Sequence, residues 1–229
     1  MKIAIPYHAL LAASHATATK DVRAYLECVH INKDRLQLEA TDGHMLLSLA
    51  LPTAEALDEN ILIPNNVINQ VLRAYKPKKN ETKWLYLENK NGDDQWTLGD
   101  DNIQVAFTKP DTKYPNFGAL FRQMNDSFVD PFTKESLAYR FDISVYKRID
   151  KIEKALESLA IFGGTTDLSK GIKCAFRGLT LEQAVMVVMP MRVGIDGKSY
   201  RNDYKDLAEY LETQAKVSTA LSRYTGYRK

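Results

Sequence analysis

The order of secondary-structure signals repeats along this chain, and that repetition restricts the possible folds more than any other feature. Lys2–Ile5 alternates and reads as a short strand. Pro6 suits the first turn of a helix, where a missing N–H costs nothing, and Ala9–Ala18, rich in Ala and Leu, supplies that helix. Val22–Ile31, Arg35–Ala40 and Met45–Leu51 follow as strands. Turns at Asn32-Lys33-Asp34 and Thr41-Asp42-Gly43-His44 join them, with Gly43 expected at positive φ. The succession then returns. Asn60–Ile63 is a strand, and Asn65 or Asn66 is expected to cap a helix through Tyr75, with Val67, Ile68, Val71, Leu72 and Tyr75 on one face and Pro77 as the stop. Trp84–Glu88, Gln95–Leu98 and Ile103–Thr108 are strands, with a hairpin turn at Asn91-Gly92. Residues 1–108 thus hold tandem β-α-β-β-β units.

A third unit follows an irregular stretch, 109–136, that carries Pro110, Pro115 and Pro131 and is expected to wrap along the surface. Leu137–Ile143 reads as a strand, and Ser144 as the cap of a helix through Leu159. Its apolar stripe is Val145, Ile149, Ile152, Leu156 and Leu159, with Gly163-Gly164 closing it. Gly171–Arg177 and Ala184–Met189 are further strands. The tail from Gly194 is polar, and Asp203–Leu221 reads as a helix with a thin stripe. The expected fold class is α+β, built from repeated β-α-β-β-β units. An odd unit leaves a sheet edge without a partner, and such an edge is an association site. Another chain or the added tail could cover it; pairing between chains is favoured, because a helical tail cannot supply a ladder's hydrogen bonds.

Composition narrows the function classes. With 31 Lys+Arg against 29 Asp+Glu and 45% apolar residues, the chain has the make-up of a folded soluble protein, and nucleic-acid binding has to come from local basic patches. No apolar run reaches about 18 residues, so no membrane span is expected. The brief apolar stretch Ile3–Ile5 is too short for a signal peptide, and Cys28 and Cys174 form neither a disulfide framework nor a CxxC. A cytoplasmic protein with reduced thiols is expected. His8, His15, His30 and His44 lack metal-ligand spacing. Ser144-Val145-Tyr146-Lys147 fits an SxxK pattern without its partner motifs, and Gly194–Ser199 has the wrong spacing for a phosphate loop. No catalytic site, metal or cofactor is expected.

Four segments occur in a telling order: Asp21-Val22-Arg23-Ala24-Tyr25-Leu26, Ala40-Thr41-Asp42-Gly43-His44-Met45-Leu46, Tyr114-Pro115-Asn116-Phe117, and Val187-Val188-Met189-Pro190-Met191-Arg192-Val193. Together they resemble the bacterial sliding clamp, the DNA polymerase III beta subunit, whose domains are each built from a pair of β-α-β-β-β units. The resemblance implies a complete clamp domain at 1–121, similar to the family's middle domain, a linker at 122–136, a half domain at 137–193, similar to the second half of its last domain, and an added tail at 194–229. A shortened chain of this kind suits a phage or mobile element.

The resemblance implies a processivity factor of DNA replication that self-associates around duplex DNA, contacts it without regard to sequence, and tethers polymerase and clamp-loader peptides. The matching peptide-pocket positions are Leu26, Thr41, Gly43, His44, Met45, Leu46, Pro115, Leu120, Val187, Met189, Pro190, Met191 and Arg192. Leu and Met give such a groove an adaptable apolar lining. For DNA, the expected cations are Lys147, Arg148, Lys151 and Lys154, away from the apolar stripe of their helix, with Arg73, Lys76, Lys78 and Lys79 at the end of the second-unit helix. Lys20, Arg23 and Tyr25 match positions where the family touches DNA. The alternative is a clamp-like binding module that forms no ring and sequesters clamp-binding peptides or regulates a full-length clamp.

Overall fold

Proline sets the geometry where both tandem units pass from strand to helix. Strand β1 (Lys2–Pro6) runs into α1 (Tyr7–Ala16), and β5 (Ile61–Pro64) into α2 (Asn65–Ala74). Pro6 (φ −61°, ψ 133°) and Pro64 (φ −61°, ψ 136°) are the N-caps. The ring fixes φ while ψ stays extended, so one residue ends the strand and starts the helix. Pro6 therefore precedes the first turn, and neither Asn65 nor Asn66 caps α2. Asn65 is its first helical residue, and its Oδ1 is buried without a hydrogen-bond partner. The computed structural model describes residues 1–52, 57–75, 77, 81, 83–89, 94–117, 141–163, 171–180 and 183–190. The Asn91-Gly92 turn, most of the expected strand Leu137–Ile143 and the expected tail helix Asp203–Leu221 lie outside them.

The other strands are β2 (Cys28–Asn32), β3 (Gln37–Thr41), β4 (Met45–Ala50), β6 (Trp84–Glu88), β7 (Gln95–Gly99) and β8 (Gln104–Thr108). After α3 (Ile143–Leu156) come β9 (Ala160–Phe162), β10 (Ile172–Phe176) and β11 (Ala184–Val188). The tandem units exchange their leading strands. A four-stranded sheet runs β1-β6-β7-β8, and a seven-stranded sheet runs β5-β2-β3-β4-β11-β10-β9. Every pairing is antiparallel. The edge of the third unit at β11 is thus closed within the chain by β4, with Ala184 opposite Leu49 and Val188 opposite Met45. Neither another chain nor the tail is needed there. On the other side of the unit, β9 ends the sheet among the described residues.

Three sequence expectations shift for local reasons. The strand expected over Val22–Ile31 begins only at Cys28, because Ala24–Glu27 forms a 3-10 turn. Asp21 holds that turn: its backbone N–H donates to Glu27 Oε1 (2.8 Å), and its carboxylate accepts from Arg23 Nε (2.9 Å) and Nη2 (3.0 Å). Helix α3 is capped by Asp142, which accepts from Ser144 N (2.7 Å), so Ser144 is not the cap. The helix also ends three residues before Leu159, where Glu157 turns left-handed (φ 49°) and its N–H donates to Glu153 O. Leu159 is exposed, and β9 begins directly after it, ahead of the Gly163-Gly164 pair read as closing the helix.

One contiguous hydrophobic core joins both sheets and the three described helices, with Trp96, Phe176, Leu10, Ile31, Leu47 and Ile68 among its fully buried members. Helix α1 lies against α2 and α3 together. Its Ala12, Ala13 and Ala16 are completely buried, and these small side chains admit the close approach of neighbours. The described residues belong to one compact unit. Among the described residues, no helix is long and apolar enough to cross a membrane, and no group of His, Cys, Asp and Glu is arranged to hold a metal.

Candidate functional site

The β3–β4 turn is built by its own side chains. Thr41 Oγ1 donates to Met45 O (2.6 Å) and accepts from Gly43 N (3.0 Å). Asp42 Oδ1 accepts from the backbone N–H of His44 (2.8 Å) and Met45 (2.8 Å). Gly43 has φ +91°, as its place in the turn requires, and a Cβ there would lie 3.5 Å from Arg23 Nη2. The guanidinium of Arg23 therefore covers the turn while paired with Asp21. That pairing holds the Asp21 carboxyl down at about 2 and raises Arg23. Met189 N donates to His44 O (2.7 Å), which carries the β11 chain on past the turn.

These contacts form the floor and rim of a cleft of about 240 Å³. Its walls are Arg23, Tyr25, Leu26, Thr41, Gly43, His44, Met45, Leu46, Pro115, Phe117, Val187 and Met189. Leu46 and Val187 stand opposite each other across the β4–β11 ladder and pack with Phe117. Behind the Tyr25 and Phe117 walls lies the buried Tyr114, edge-on to Tyr25 (6.2 Å) and to Phe117 (5.5 Å) and stacked on His30 (4.3 Å). His30 is buried beside Glu39, its Nδ1 2.9 Å from the carboxylate, and burial together with the Arg35 charge pushes its pKa down to about 4. The imidazole is therefore neutral, and Nδ1–H donates. Burial also raises the Cys28 thiol to about 11 and lifts the Tyr114 hydroxyl well above its ordinary value. The lining is mostly apolar, with the Arg23 guanidinium on the rim. Such a groove can seat apolar side chains of an extended peptide.

The structure brings Leu26, Thr41, Gly43, His44, Met45, Leu46, Pro115, Val187 and Met189 to this cleft. Pro190 is buried and does not line it. Leu120, Met191 and Arg192 lie outside the described residues. Phe117 joins the lining although only its Tyr114–Phe117 segment had signalled it. Arg23 and Tyr25, expected at DNA, also line the cleft.

The expected phosphate contacts divide as well. Arg148 is engaged inside the protein: its Nη1 pairs with Asp42 Oδ2 and approaches Thr17 O (3.5 Å). Lys154 pairs with Asp150 one turn earlier (2.7 Å). Lys147 and Lys151 are exposed on α3 and make no ion pair with a described residue. Arg73 is exposed in the last turn of α2, and Lys20 is exposed after α1 in a left-handed conformation (φ 59°). Lys76, Lys78 and Lys79 lie outside the described residues.

Comparison with solved structures identifies this arrangement of sheets and helices. The DNA polymerase sliding clamp of Pseudomonas aeruginosa superposes with a TM-score of 0.58 at 15% identity, over 84% of this chain and 66% of that one. The DNA polymerase III beta subunit of Borrelia burgdorferi, in complex with a natural product, gives 0.58 at 12% identity over 85% and 65%. The sliding clamp of Bacillus subtilis gives 0.58 at 15% over 85% and 65%. The fold is that of the bacterial sliding clamp.

This clamp fold is shortened, since the chain spans about two thirds of the length of the clamps it superposes on (66% and 65%). No family model and no curated protein matches the sequence. In this clamp-fold chain the cleft lies where the β3–β4 turn meets the end of β11, so residues far apart in sequence form one wall.

Proposed function

We propose that this chain is a sliding-clamp-like processivity factor of DNA replication. It self-associates around duplex DNA, contacts phosphates without regard to sequence, and holds polymerase and clamp-loader peptides in the Arg23–Met189 cleft. It acts in the cytoplasm by binding and not by catalysis. The observation that carries this reading is the cleft itself: an apolar groove joined across the β4–β11 ladder, in a clamp fold. Lys147 and Lys151, exposed on α3, supply the phosphate contacts.

Fluorescence titration with a peptide carrying apolar anchors of the clamp-binding kind tests the cleft. Met189 is exposed at its mouth, and Met189→Ala should weaken binding about tenfold, the effect of losing about 1.4 kcal/mol of anchor contact. Unchanged affinity in the folded variant would remove the cleft from the function. A second reading is a module that binds such peptides without forming a ring, and the shortened span favours it. Retention on closed circular DNA separates the two, since only a ring stays linked to a circle.

A further inference from the structure

We propose that the peptide site continues past Pro115 into a second, larger cleft, which takes the charged flank of the same peptide, an acidic residue against Lys113 and a basic residue against Asp111. This deepens the proposed function and rests on its peptide cleft alone.

The second cleft encloses about 760 Å³ and is divided from the first by the end of the Lys109–Phe117 segment. Pro115 is common to both linings, Asn116 faces the larger cleft and Phe117 the smaller. The other side is shared in the same way. The 3-10 turn Ala24–Glu27 brings Tyr25 and Leu26 to the smaller cleft, and β2, which follows it directly, brings His30 and Asn32 to the larger. Between them Tyr114 packs with Cys28 and Leu62, and Tyr25 and Phe117 lie against that cluster. From Leu26 to His30 the chain spans at most roughly 13 Å, at about 3.3 Å per residue. A peptide seated by apolar anchors in the smaller cleft therefore reaches the larger one with about four to six further residues.

The two linings differ in chemistry. The smaller is mostly apolar, whereas the larger carries three acidic and three basic side chains, Asp34, Asp94, Asp111, Arg35, Lys109 and Lys113. Four of these charges are engaged within the chain. Arg35 pairs with Glu39, Lys109 with Glu59 and Asp94, and Asp34 with Lys33 (3.7 Å). Lys113 and Asp111 are exposed and pair with no described residue. Lys113 stands two residues ahead of Pro115 and Asp111 four, so along the loop the cation is the nearer to the smaller cleft. Complementarity then sets the order of charge in the partner: acidic next to the apolar anchors, basic further out. Solvated charges of this kind add little affinity, but they decide which flank is accepted, because a reversed order sets like charges against each other.

Fluorescence titration of the full chain at low salt tests the extension with labelled peptides. One carries the apolar anchors alone. Others add about six flanking residues at either end, with the acidic half next to the anchors or with the order reversed. At one end the acidic-first flank should bind about fivefold more tightly than the reversed one, within the range of exposed ion pairs, and the gain should shrink at high salt. The double exchange Lys113→Glu with Asp111→Lys should invert that preference and leave the affinity for the anchors alone unchanged. Equal affinity for both orders at both ends would overturn the proposal, and so would a preference that the exchange does not invert. Anchors that bind with no effect of any flank leave the smaller cleft its function and remove the extension. Anchors that fail to bind strike the peptide cleft itself, and the extension falls with it.

Discussion

The Arg148–Asp42 pair ties α3 to the turn that floors the cleft, and its energy can be bounded from its surroundings. The Arg148 side chain is 30% exposed and that of Asp42 6%. Exposed pairs contribute about 0–1 kcal/mol, and breaking a fully buried pair costs about 3–5 kcal/mol. Asp42 keeps the N–H groups of His44 and Met45 after Arg148 is lost, so its carboxylate is not orphaned. Arg148→Ala should therefore cost about 2 kcal/mol, which for a chain of this size lowers Tm by roughly 4–8 °C. Thermal and urea unfolding would measure it. A double-mutant cycle with Asp42→Asn isolates the pair, because Asn retains an acceptor for the turn but no charge. The coupling should be about 1–2 kcal/mol, with the salt dependence of DNA binding unchanged by Arg148→Ala. Additivity within about 0.3 kcal/mol, together with a flatter salt slope, would return Arg148 to the DNA and refute the reasoning.

Reversing the charge of Lys147 and Lys151 should reduce the magnitude of the log–log salt slope of binding to circular duplex by about 2, close to one per phosphate contact, and weaken binding to all sequences alike; sequence-dependent losses would contradict the phosphate assignment. His30 has a folded pKa of about 4, below its ordinary value, so the unfolded chain takes up the proton first as pH falls. Its stabilising contribution is complete above about pH 6.5 and is lost between there and about pH 4. Denaturant midpoints at both ends of that window should fall less on acidification in His30→Gln, and equal slopes in the two proteins would count against a neutral buried imidazole. At Gly99 a Cβ would lie 1.8 Å from Ile103 O and 2.8 Å from Gln104 Cα. Gly99→Ala must displace the β7–β8 backbone and should cost about 3 kcal/mol in a melting experiment, whereas an unchanged Tm would show that the turn is not held this closely.

Strands joined by short turns were legible because alternation and turn chemistry act over a few residues: Thr41–His44 was read as a turn, and Gly43 takes the positive φ expected of it. Strand β9 was not legible. Leu159 continues the three-and-four spacing of Val145, Ile149, Ile152 and Leu156, and nothing local announces that Glu157 turns left-handed. The segment Val22–Ile31 carries β-forming residues, yet the Asp21 hydrogen bonds divide it. The cleft was legible mainly through the four ordered segments. Arg23 and Tyr25 were expected at DNA and not at the cleft, because a charged or aromatic side chain after a helix has no preferred direction in sequence. The Arg148–Asp42 pair had no signal in the sequence: the partners lie 106 residues apart, and only the joining of β4 and β11 brings α3 beside the turn. An unpaired edge was expected for the odd unit without a side being named, and the closure of its β11 edge by β4 leaves no local signal.

That β4–β11 ladder has a mechanical consequence. The boundary between the tandem pair and the third unit is crossed by an unbroken sheet, with register held from Ala184 on Leu49 to Val188 on Met45, and α3 braces it from the helix side against α1. Flexing there would shear a run of main-chain hydrogen bonds together, so the boundary behaves as a girder and not as a hinge. In the ring proposed above, opening to admit DNA would therefore not fall at this boundary.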